Sequence, residues 1–337
     1  MRFGKINNYI LMGQGEVLFR LAKMVKQRGH GLLVVISPRD RGDKVPVDGG
    51  FRSLEDLLKS ESIEFMVSQD INNEAALKFR ITKNTLGISS GAAWLFKGAF
   101  IKLFEGRLIN LHGTRLPQDR GGGGFSWRIL RGERVGYSIV HRIDEGVDTG
   151  SILKCREYVY PHSCRVPADY QKYSASKYIE MLEEFLGEVE KEKDFQEASQ
   201  QEYFSAYWPR LATDIHGYIN WGWKLEDIDR FICAFDDPYK GAATFINGTK
   251  ARLKKSGTWV NDGPFHPFQK GMVYRISGGN VFVATESGTL ILGSVEDDNG
   301  ASMIQKIKVG DRFYTPAEHL EKAMQFRAVY TSTGLKP

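Results

Sequence analysis

Apolar and polar positions alternate in two different ways along the chain. In the first half, short apolar runs alternate with segments whose apolar residues recur at helical spacing. We predict strands at 9–12, 31–36, 63–67, 85–89, 108–111, 136–141 and 151–159, and helices over 16–28, 53–58, 73–79, 96–104 and 167–193. This repeated β-then-α order predicts an α/β fold with a doubly wound, mostly parallel sheet.

The second half changes to short alternating strands. After a helix over 225–235, strands are predicted at 243–246, 250–254, 272–277, 281–285 and 290–295, and a final helix over 316–326. The Asn247-Gly248 pair is a typical hairpin turn. Short strands separated by turn residues indicate a small antiparallel β-barrel. We therefore predict a first domain over 1–195, a linker over 196–212 and a second domain over 213–337.

Candidate chemistry is concentrated in residues 107–150. Asn110 and His112 lie two residues apart where the strand 108–111 ends, so the strand period of two places both side chains on one face. A carboxylate-rich loop with Asp144, Glu145 and Asp148 follows the next strand. An amide can donate to an oxyanion, an imidazole can move a proton near neutral pH, and a carboxylate can orient the imidazole. Without a serine or cysteine nucleophile in this stretch, we favour direct acyl transfer to an amine.

These residues resemble the formyltetrahydrofolate-dependent formyltransferase family. The family pattern is carried here by Asn110 and His112, Leu116-Pro117, Arg120-Gly121, Trp127, and Asp144 to Gly150. The second half resembles the C-terminal barrel of methionyl-tRNA and amino-sugar formyltransferases. The resemblance implies a Rossmann-like catalytic domain, an OB-like barrel, 10-formyltetrahydrofolate as the formyl donor without a metal, and catalytic roles for Asn110, His112 and Asp148.

The resemblance also suggests binding residues. The family's donor site corresponds to Ser90, Gly91, Ala92, Asp144 and Val147, and its acceptor side to Gln14, Arg115 and Arg120. Simpler interpretations remain open for most of them. The turn 13–15 can be a tight turn that needs glycine, the glycines 121–124 can be a flexible loop, and 89–94 can be close helix–sheet packing.

For three other residues, a simple structural interpretation is favoured over a functional one or weighed equally with it. Trp127 fits a core position at least as well as a substrate-stacking one. His141 is expected to be a structural or exposed strand histidine. Arg39 lies in a basic, proline-broken loop that could bind a phosphate, although we take a solvated connector as the default.

Composition narrows the class of protein only slightly. The chain has 337 residues, a net charge of +5 and three cysteines without metal-ligand spacing. The cysteines are expected to be reduced thiols of a cytoplasmic protein, and there is no apolar run of about 18 residues that would indicate a membrane span. The mild positive charge suits an anionic substrate such as a nucleotide and does not require nucleic acid.

The acceptor amine is harder to predict than the donor. The Ser-Leu-Leu-Pro typical of the transfer-RNA enzymes is replaced by Thr114-Arg115-Leu116-Pro117, and an extra arginine would suit a pyrophosphate. The only basic stripe predicted in the second domain is 250–255. We favour a UDP- or dTDP-linked amino sugar, as used in cell-surface polysaccharide synthesis, over methionyl-tRNA.

Two other classes of function stay open. The first is a non-catalytic folate- or nucleotide-binding protein, and the second is a formyltetrahydrofolate hydrolase. The sequence leaves the identity of the sugar undetermined. It also leaves the oligomeric state open, although exposed aromatic residues in the barrel are compatible with a homodimer.

Overall fold

Two sheets organise the chain in the computed structural model, which describes residues 1–47, 50–122 and 124–335. The strands of the first half are β1 (Asn8–Gly13), β2 (Gly31–Ile36), β3 (Lys44–Val47), β4 (Gly50–Ser53), β5 (Phe65–Val67), β6 (Thr85–Ser90), β7 (Leu108–His112), β8 (Arg120–Gly121), β9 (Val135–Arg142), β10 (Ile152–Val159) and β11 (Tyr207–Trp208). Its helices are α1 (Gly15–Gln27), α2 (Leu54–Ser60), α3 (Ala75–Lys78), α4 (Gly98–Leu103), α5 (Gly124–Leu130) and α6 (Pro167–Glu190).

Seven of these strands form one twisted sheet in the order β10-β9-β7-β6-β1-β2-β5. Five neighbouring strands of this sheet are mutually parallel, namely β7, β6, β1, β2 and β5. Strand β9 runs antiparallel to both β7 and β10. The predicted mostly parallel sheet is confirmed. Antiparallel β9 follows β7 in the chain and pairs with it, so the two strands that carry the candidate chemistry are neighbours.

Alternation along β1 explains why helices cover both faces of this sheet. Tyr9 and Leu11 belong to a core shared with α1 and α6, whereas Ile10 and Met12 belong to a second core shared with α4. Successive residues of a strand point to opposite faces, so an apolar run buried on both sides requires a layer of helices on each side.

The predicted linker, 196–212, packs along the first half. Ala198 forms an antiparallel bridge with Ile152, and β11 pairs in parallel with β8. Trp127 donates from its indole nitrogen to the carbonyl oxygen of Pro209 at 2.8 Å. These contacts bring the aromatic residues around Tyr207 close to the glycine-rich segment; Gly123, part of the 121–124 prediction, lies outside the described residues.

The second half is built on an antiparallel sheet. Its strands are β12 (Ala242–Ile246), β13 (Thr249–Trp259), β14 (Val273–Ser277), β15 (Asn280–Thr285), β16 (Gly288–Glu296), β17 (Phe313–Tyr314), β18 (Tyr330–Thr331) and β19 (Gly334–Leu335). Its helices are α7 (Thr213–His216), α8 (Leu225–Phe235) and α9 (Ala317–Gln325).

The strands β12 to β17 curl into a partly closed barrel. They follow the order β14-β15-β16-β13-β12-β17, and a bridge between Met272 and Arg312 connects the two edges of the sheet. Apolar residues of α8, including Ile228 and Ile232, share a core with barrel residues such as Leu253. The predicted antiparallel barrel is confirmed in this form, although β13 continues to Trp259, beyond its predicted end.

The described residues contain no helix that is both long and apolar enough to cross a membrane.

Candidate active site

The pairing of β7 with its neighbours brings the candidate residues together. Asn110 lies opposite His141 on β9 and opposite Ser89 on β6. His112 follows two residues later on the same face of β7. The flanking residues Ile109 and Leu111 are buried in the core, so the apolar alternation of the strand fixes which face carries the polar pair.

His112 is held between two acceptors. Its Nδ1 lies 3.5 Å from Oδ1 of Asp148. Its Nε2 lies 3.1 Å from the carbonyl oxygen of Asp119 and 2.6 Å from the hydroxyl of Thr114, which donates to that same carbonyl. Both ring nitrogens therefore face oxygens that accept hydrogen bonds, an arrangement that favours the protonated ring.

The pKa values of this pair follow from the same contacts. Burial lowers the pKa of His112, but the charge of Asp148 and its hydrogen bond outweigh burial, and the net pKa is raised above the usual value. Burial raises the pKa of Asp148, but His112 and the amide of Gly121 outweigh it and lower this pKa to about 2. Asp148 is therefore ionised at neutral pH and stabilises positive charge on His112.

Asn110 is oriented by a second histidine. Its amide nitrogen donates to Nε2 of His141 at 3.0 Å and lies 3.5 Å from Oδ1 of Asp148. The Nδ1 of His141 donates to the carbonyl oxygen of Arg142 at 2.7 Å, so Nε2 is the acceptor. Burial and the nearby His112 lower the pKa of His141 to about 4, which keeps this ring neutral.

The loop that presents Asp148 is closed by its own polar residues. Asp144 accepts hydrogen bonds from the amide of Gly146 and the hydroxyl of Thr149. The amide of Gly121 donates to Oδ2 of Asp148 at 3.0 Å. Gln200 donates to the backbone carbonyl of Asp148 at 2.9 Å. These bonds hold Asp148, whose φ is +56°, in a left-handed conformation.

A cavity of about 430 Å³ opens over these groups. The predicted residues that line it are Asn110, His112, Asp148, Gly91, Ala92, Asp144 and Val147. The volume suits a small-molecule site, for which roughly 300–1,000 Å³ is typical. The sequence thus predicted three polar groups that the fold does bring together, and four further residues of the same cavity.

The remaining four predicted binding residues do not line the cavity. The Ser90 carbonyl oxygen accepts a hydrogen bond from the backbone amide of Gln14 at 3.0 Å, which joins the turns that follow β6 and β1. Arg115 is exposed. Arg120 is buried, and its guanidinium is bound by Glu202 at 2.6 Å and by Gln200. In this structure Arg120 fixes the connector against the glycine segment.

Several cavity residues were not predicted from the sequence as site residues. His141 is 2% exposed and lies within the polar cluster, which agrees with the structural rather than the exposed alternative expected for this strand histidine. Arg39 lines the cavity, although its loop was predicted to be a solvated connector. Arg210 and Arg327 also line it. Their positions depend on how the connector and the chain end fold back, which no local pattern shows.

His112, His141 and Asp148 could also be considered as metal ligands, because one ligand atom from each lies within 4.8 Å of the others. The hydrogen bonds argue for a different use. Nδ1 of His112 and Oδ1 of Asp148 face each other, and Nε2 of His141 accepts from Asn110. The same atoms therefore already take part in a network of polar contacts.

A Rossmann-like α/β domain with an amide, a histidine and an aspartate in its cavity, followed by a β-barrel, defines a class of two-part group-transfer enzymes. Two family models match this chain: "Formyl transferase" over residues 9–172 and "Formyl transferase, C-terminal domain" over residues 213–307. Together they cover more than half of the sequence. The chain belongs to the formyl transferase family.

Relatives with different acceptors are similar to this chain. Methionyl-tRNA formyltransferase of Acetivibrio thermocellus is 28% identical over 299 residues, covering 87% of this chain and 93% of the relative. GDP-perosamine N-formyltransferase of Brucella melitensis is 28% identical over 198 residues, covering 58% of this chain and 74% of the relative.

A solved N-formyltransferase of Helicobacter canadensis, in complex with folinic acid and dTDP-3-aminofucose, has a similar fold. It is 18% identical, with a TM-score of 0.62, and the match covers 85% of this chain and 98% of the other. At this identity the likeness concerns the fold.

Proposed function

We propose that the protein transfers the formyl group of 10-formyltetrahydrofolate to the amino group of a nucleotide-linked amino-deoxy sugar. Formyl transfer itself follows from the family, and the folinic acid held by the Helicobacter protein supports a formylated folate as donor. One side of the cavity suits the flat, partly apolar pterin. Trp94, Phe96 and Val147 lie there beside the loop that contains Asp144.

The polar cluster around His112 provides a side chain for each step of the reaction. As the acceptor's neutral amine attacks the formyl carbon, the amide of Asn110 donates to the carbonyl oxygen that becomes negative. His112 takes the proton from the attacking nitrogen and delivers it to the folate nitrogen that leaves. Asp148 stabilises the imidazolium between these steps, and His141 keeps the Asn110 amide aimed. One carbon–nitrogen bond forms between the acceptor amine and the formyl carbon, and one breaks between that carbon and the folate nitrogen. The reaction therefore needs no further reagent.

The observation that supports an amino sugar as the acceptor is the distribution of charged side chains in the two halves of the chain. Arg39, Arg210 and Arg327 line the cavity, where they suit the phosphates of a nucleotide. Three of the four basic side chains in the stripe predicted in the second half are instead paired with acids. Lys250, Arg252 and Lys254 form ion pairs with aspartates at 3.0 Å or less, and Arg252 is buried.

A second candidate is formylation of methionyl-tRNA. It is favoured by the methionyl-tRNA formyltransferases that align with this chain at 22–28% identity over most of its length. A transfer-RNA enzyme requires a basic surface that contacts the phosphate backbone, with binding that weakens steeply as salt increases. The paired lysines of β13 favour the sugar nucleotide instead.

The test is a formyl-transfer assay with 10-formyltetrahydrofolate and a panel of UDP-, dTDP- and GDP-linked amino sugars, with methionyl-tRNA alongside. Release of tetrahydrofolate and the mass of the product are measured. We expect formylation of a sugar nucleotide and not of the transfer RNA. Formylation of the transfer RNA alone would overturn the acceptor assignment, and formate release without any acceptor would indicate a hydrolase.

A further inference from the structure

The segment 326–332, which follows α9, returns from the second half of the chain to the first. At its start, Nε2 of His216 donates to the carbonyl oxygen of Phe326 at 2.9 Å. At its end, the guanidinium of Arg39 donates to the carbonyl oxygen of Thr331 at 2.7 Å, and the amide of Arg39 donates to that of Ser332 at 3.4 Å. The segment is thus held by both halves of the molecule.

Between these two anchors the segment forms part of the cavity wall. Arg327, Ala328 and Val329 line the cavity that also contains Asn110 and His112. Ala328 is buried, whereas Arg327 is exposed. The family match of the second half ends at residue 307. This wall is therefore an addition to the part of the chain that the family models describe.

Arg327 lies on the side of the cavity formed by the glycine segment. Its guanidinium carbon is 5.8 Å from the centre of the Tyr207 ring. Tyr207 packs so closely on Gly121 that a methyl group placed there would come within 2.5 Å of the ring, and Arg210 packs in the same way on Gly122. Two arginines and two bare glycine backbones thus form one side of the cavity.

A second group of lining residues has a different character. Glu145 packs against Gly98 at the start of α4, and Asp144 and Val147 belong to the same loop. Trp94 and Phe96 add aromatic surface. The cavity lining therefore includes an acidic and aromatic group of residues, which suits a pterin, and a group with Arg210 and Arg327 that the segment 326–332 reaches. The amide of Gly121 donates to Asp148 and so connects the glycine segment with the loop that contains Asp144.

We propose that the segment 326–332 forms the acceptor wall of this cavity and that Arg327 binds the phosphate groups of the acceptor. This inference rests on the proposed function. A guanidinium presents planar donors that match phosphate oxygens in pairs. Its contact with the Tyr207 ring limits the orientations of the side chain, so less entropy is lost on binding. The hydrogen bonds between Arg39 and the end of the segment hold this phosphate-binding group in the cavity wall.

The experiment is calorimetric titration of the 337-residue protein with dTDP, UDP and GDP, and separately with folinic acid. Arg327→Ala should weaken the nucleoside diphosphate that binds best by roughly tenfold, since a hydrogen bond to a charged group is lost. Arg327→Lys should restore part of that affinity. The Kd for folinic acid should not change. Lys322→Ala, which removes an exposed positive charge from α9 outside the cavity lining, is the matched control and should bind like the wild type.

A second variant that ends at Phe326, with its fold checked by circular dichroism, should show the same selective loss. The inference is overturned if Arg327→Ala binds the nucleoside diphosphates normally, if it weakens folinic acid instead, or if the wild type binds none of the three. Different outcomes would contradict the proposed function and this inference. Unimpaired nucleotide binding without formyl transfer would contradict the function alone, and transfer with normal nucleotide affinity in Arg327→Ala would contradict the inference alone.

Discussion

Asn110 owes its orientation to a neighbour that is not part of the family motif. Its amide nitrogen donates to His141 at 3.0 Å, and His141 is fixed in turn by the carbonyl oxygen of Arg142. An asparagine amide without fixed hydrogen-bond acceptors can flip, which would present an oxygen to the developing oxyanion and repel it. His141 therefore acts as a positioning residue in our proposal.

Replacing His141 by alanine should lower kcat roughly tenfold to a hundredfold with little change in KM for the folate, because a buried hydrogen bond worth about 1–3 kcal/mol is lost. Asparagine at this position should restore part of the rate through its side-chain oxygen. Steady-state kinetics decides the outcome, with His162→Ala as an exposed control. An unchanged kcat in the alanine variant would assign His141 a packing role only.

The pair of His112 and Asp148 makes a prediction about pH. The working base is neutral His112, so kcat/KM should fall as pH decreases through its pKa, which Asp148 raises. In Asp148→Asn the carboxylate charge is gone and burial remains, so this pKa falls and the acidic limb moves to lower pH. The plateau should drop roughly a hundredfold or more.

The pH dependence of kcat/KM measured for both enzymes with the same acceptor tests this directly. Ionisation of the acceptor amine is common to both profiles and cancels in the comparison. A limb that stays in place or moves to higher pH in Asp148→Asn would show that His112 is not the titrating base.

At the scale of single residues, the sequence predicted which residues meet in the cavity better than it predicted their contacts. Asn110, His112 and Asp148 converge because strand alternation and the motif place them. His141 escaped prediction because its burial depends on the register between β7 and β9, which puts it directly opposite Asn110. Arg120 was expected near the acceptor, but its partners Gln200 and Glu202 come from a distant connector.

Among the elements, the turn after β1 shows why position 13 is a glycine. Gly13 has a φ of +136°, and a methyl group there would lie 1.9 Å from the carbonyl oxygen of Ser90. The ends of β1 and β6 approach so closely that only glycine fits. This agrees with the tight-turn interpretation of 13–15.

Gly13→Ala should therefore destabilise the fold by about 3 kcal/mol, through overpacking and backbone strain. Gly187→Ala is the control, because Gly187 lies within α6 with no heavy atom within 4 Å of the added methyl group. That variant should gain up to about 1 kcal/mol from helix propensity. Urea unfolding of both variants measures the difference, and equal stabilities would contradict the close approach of the two strands.

Most strands and helices could be predicted because their apolar periodicity is strong. The exceptions have a common cause. The strands β8 and β11 are two residues long and exist only because the connector packs beside the glycine segment. The end of β13, from Lys255 to Trp259, lacks apolar alternation and is held by pairing with β16. Such elements follow from tertiary contacts rather than from local pattern.

For the whole molecule, the distribution of charge separates the two candidate acceptors. Positive side chains line the cavity, while Lys250 and Lys254 of β13 are paired with Asp298 at 3.0 Å and Asp237 at 2.6 Å. The sequence indicated a basic stripe because it shows alternation along one strand. It does not show that acids from three other segments lie against that stripe.

The double variant Lys250→Ala/Lys254→Ala should keep kcat/KM for the sugar nucleotide within about twofold, since exposed ion pairs are worth only about 0–1 kcal/mol. A rate measured with each acceptor at two salt concentrations checks this. If methionyl-tRNA is the acceptor and β13 binds it, the variant should lose activity most strongly at low salt and show a weaker salt dependence.

The central claim is that formyl transfer depends on the proton-handling cluster around His112. It is tested most directly by the single-turnover rate of formyl transfer in His112→Ala, with the acceptor that the panel identifies and with folinic acid binding measured on the same sample. We predict a rate lower by a factor of roughly 10²–10⁴ and an unchanged Kd for folinic acid. A near-normal rate in a folded, folate-binding variant would contradict the account.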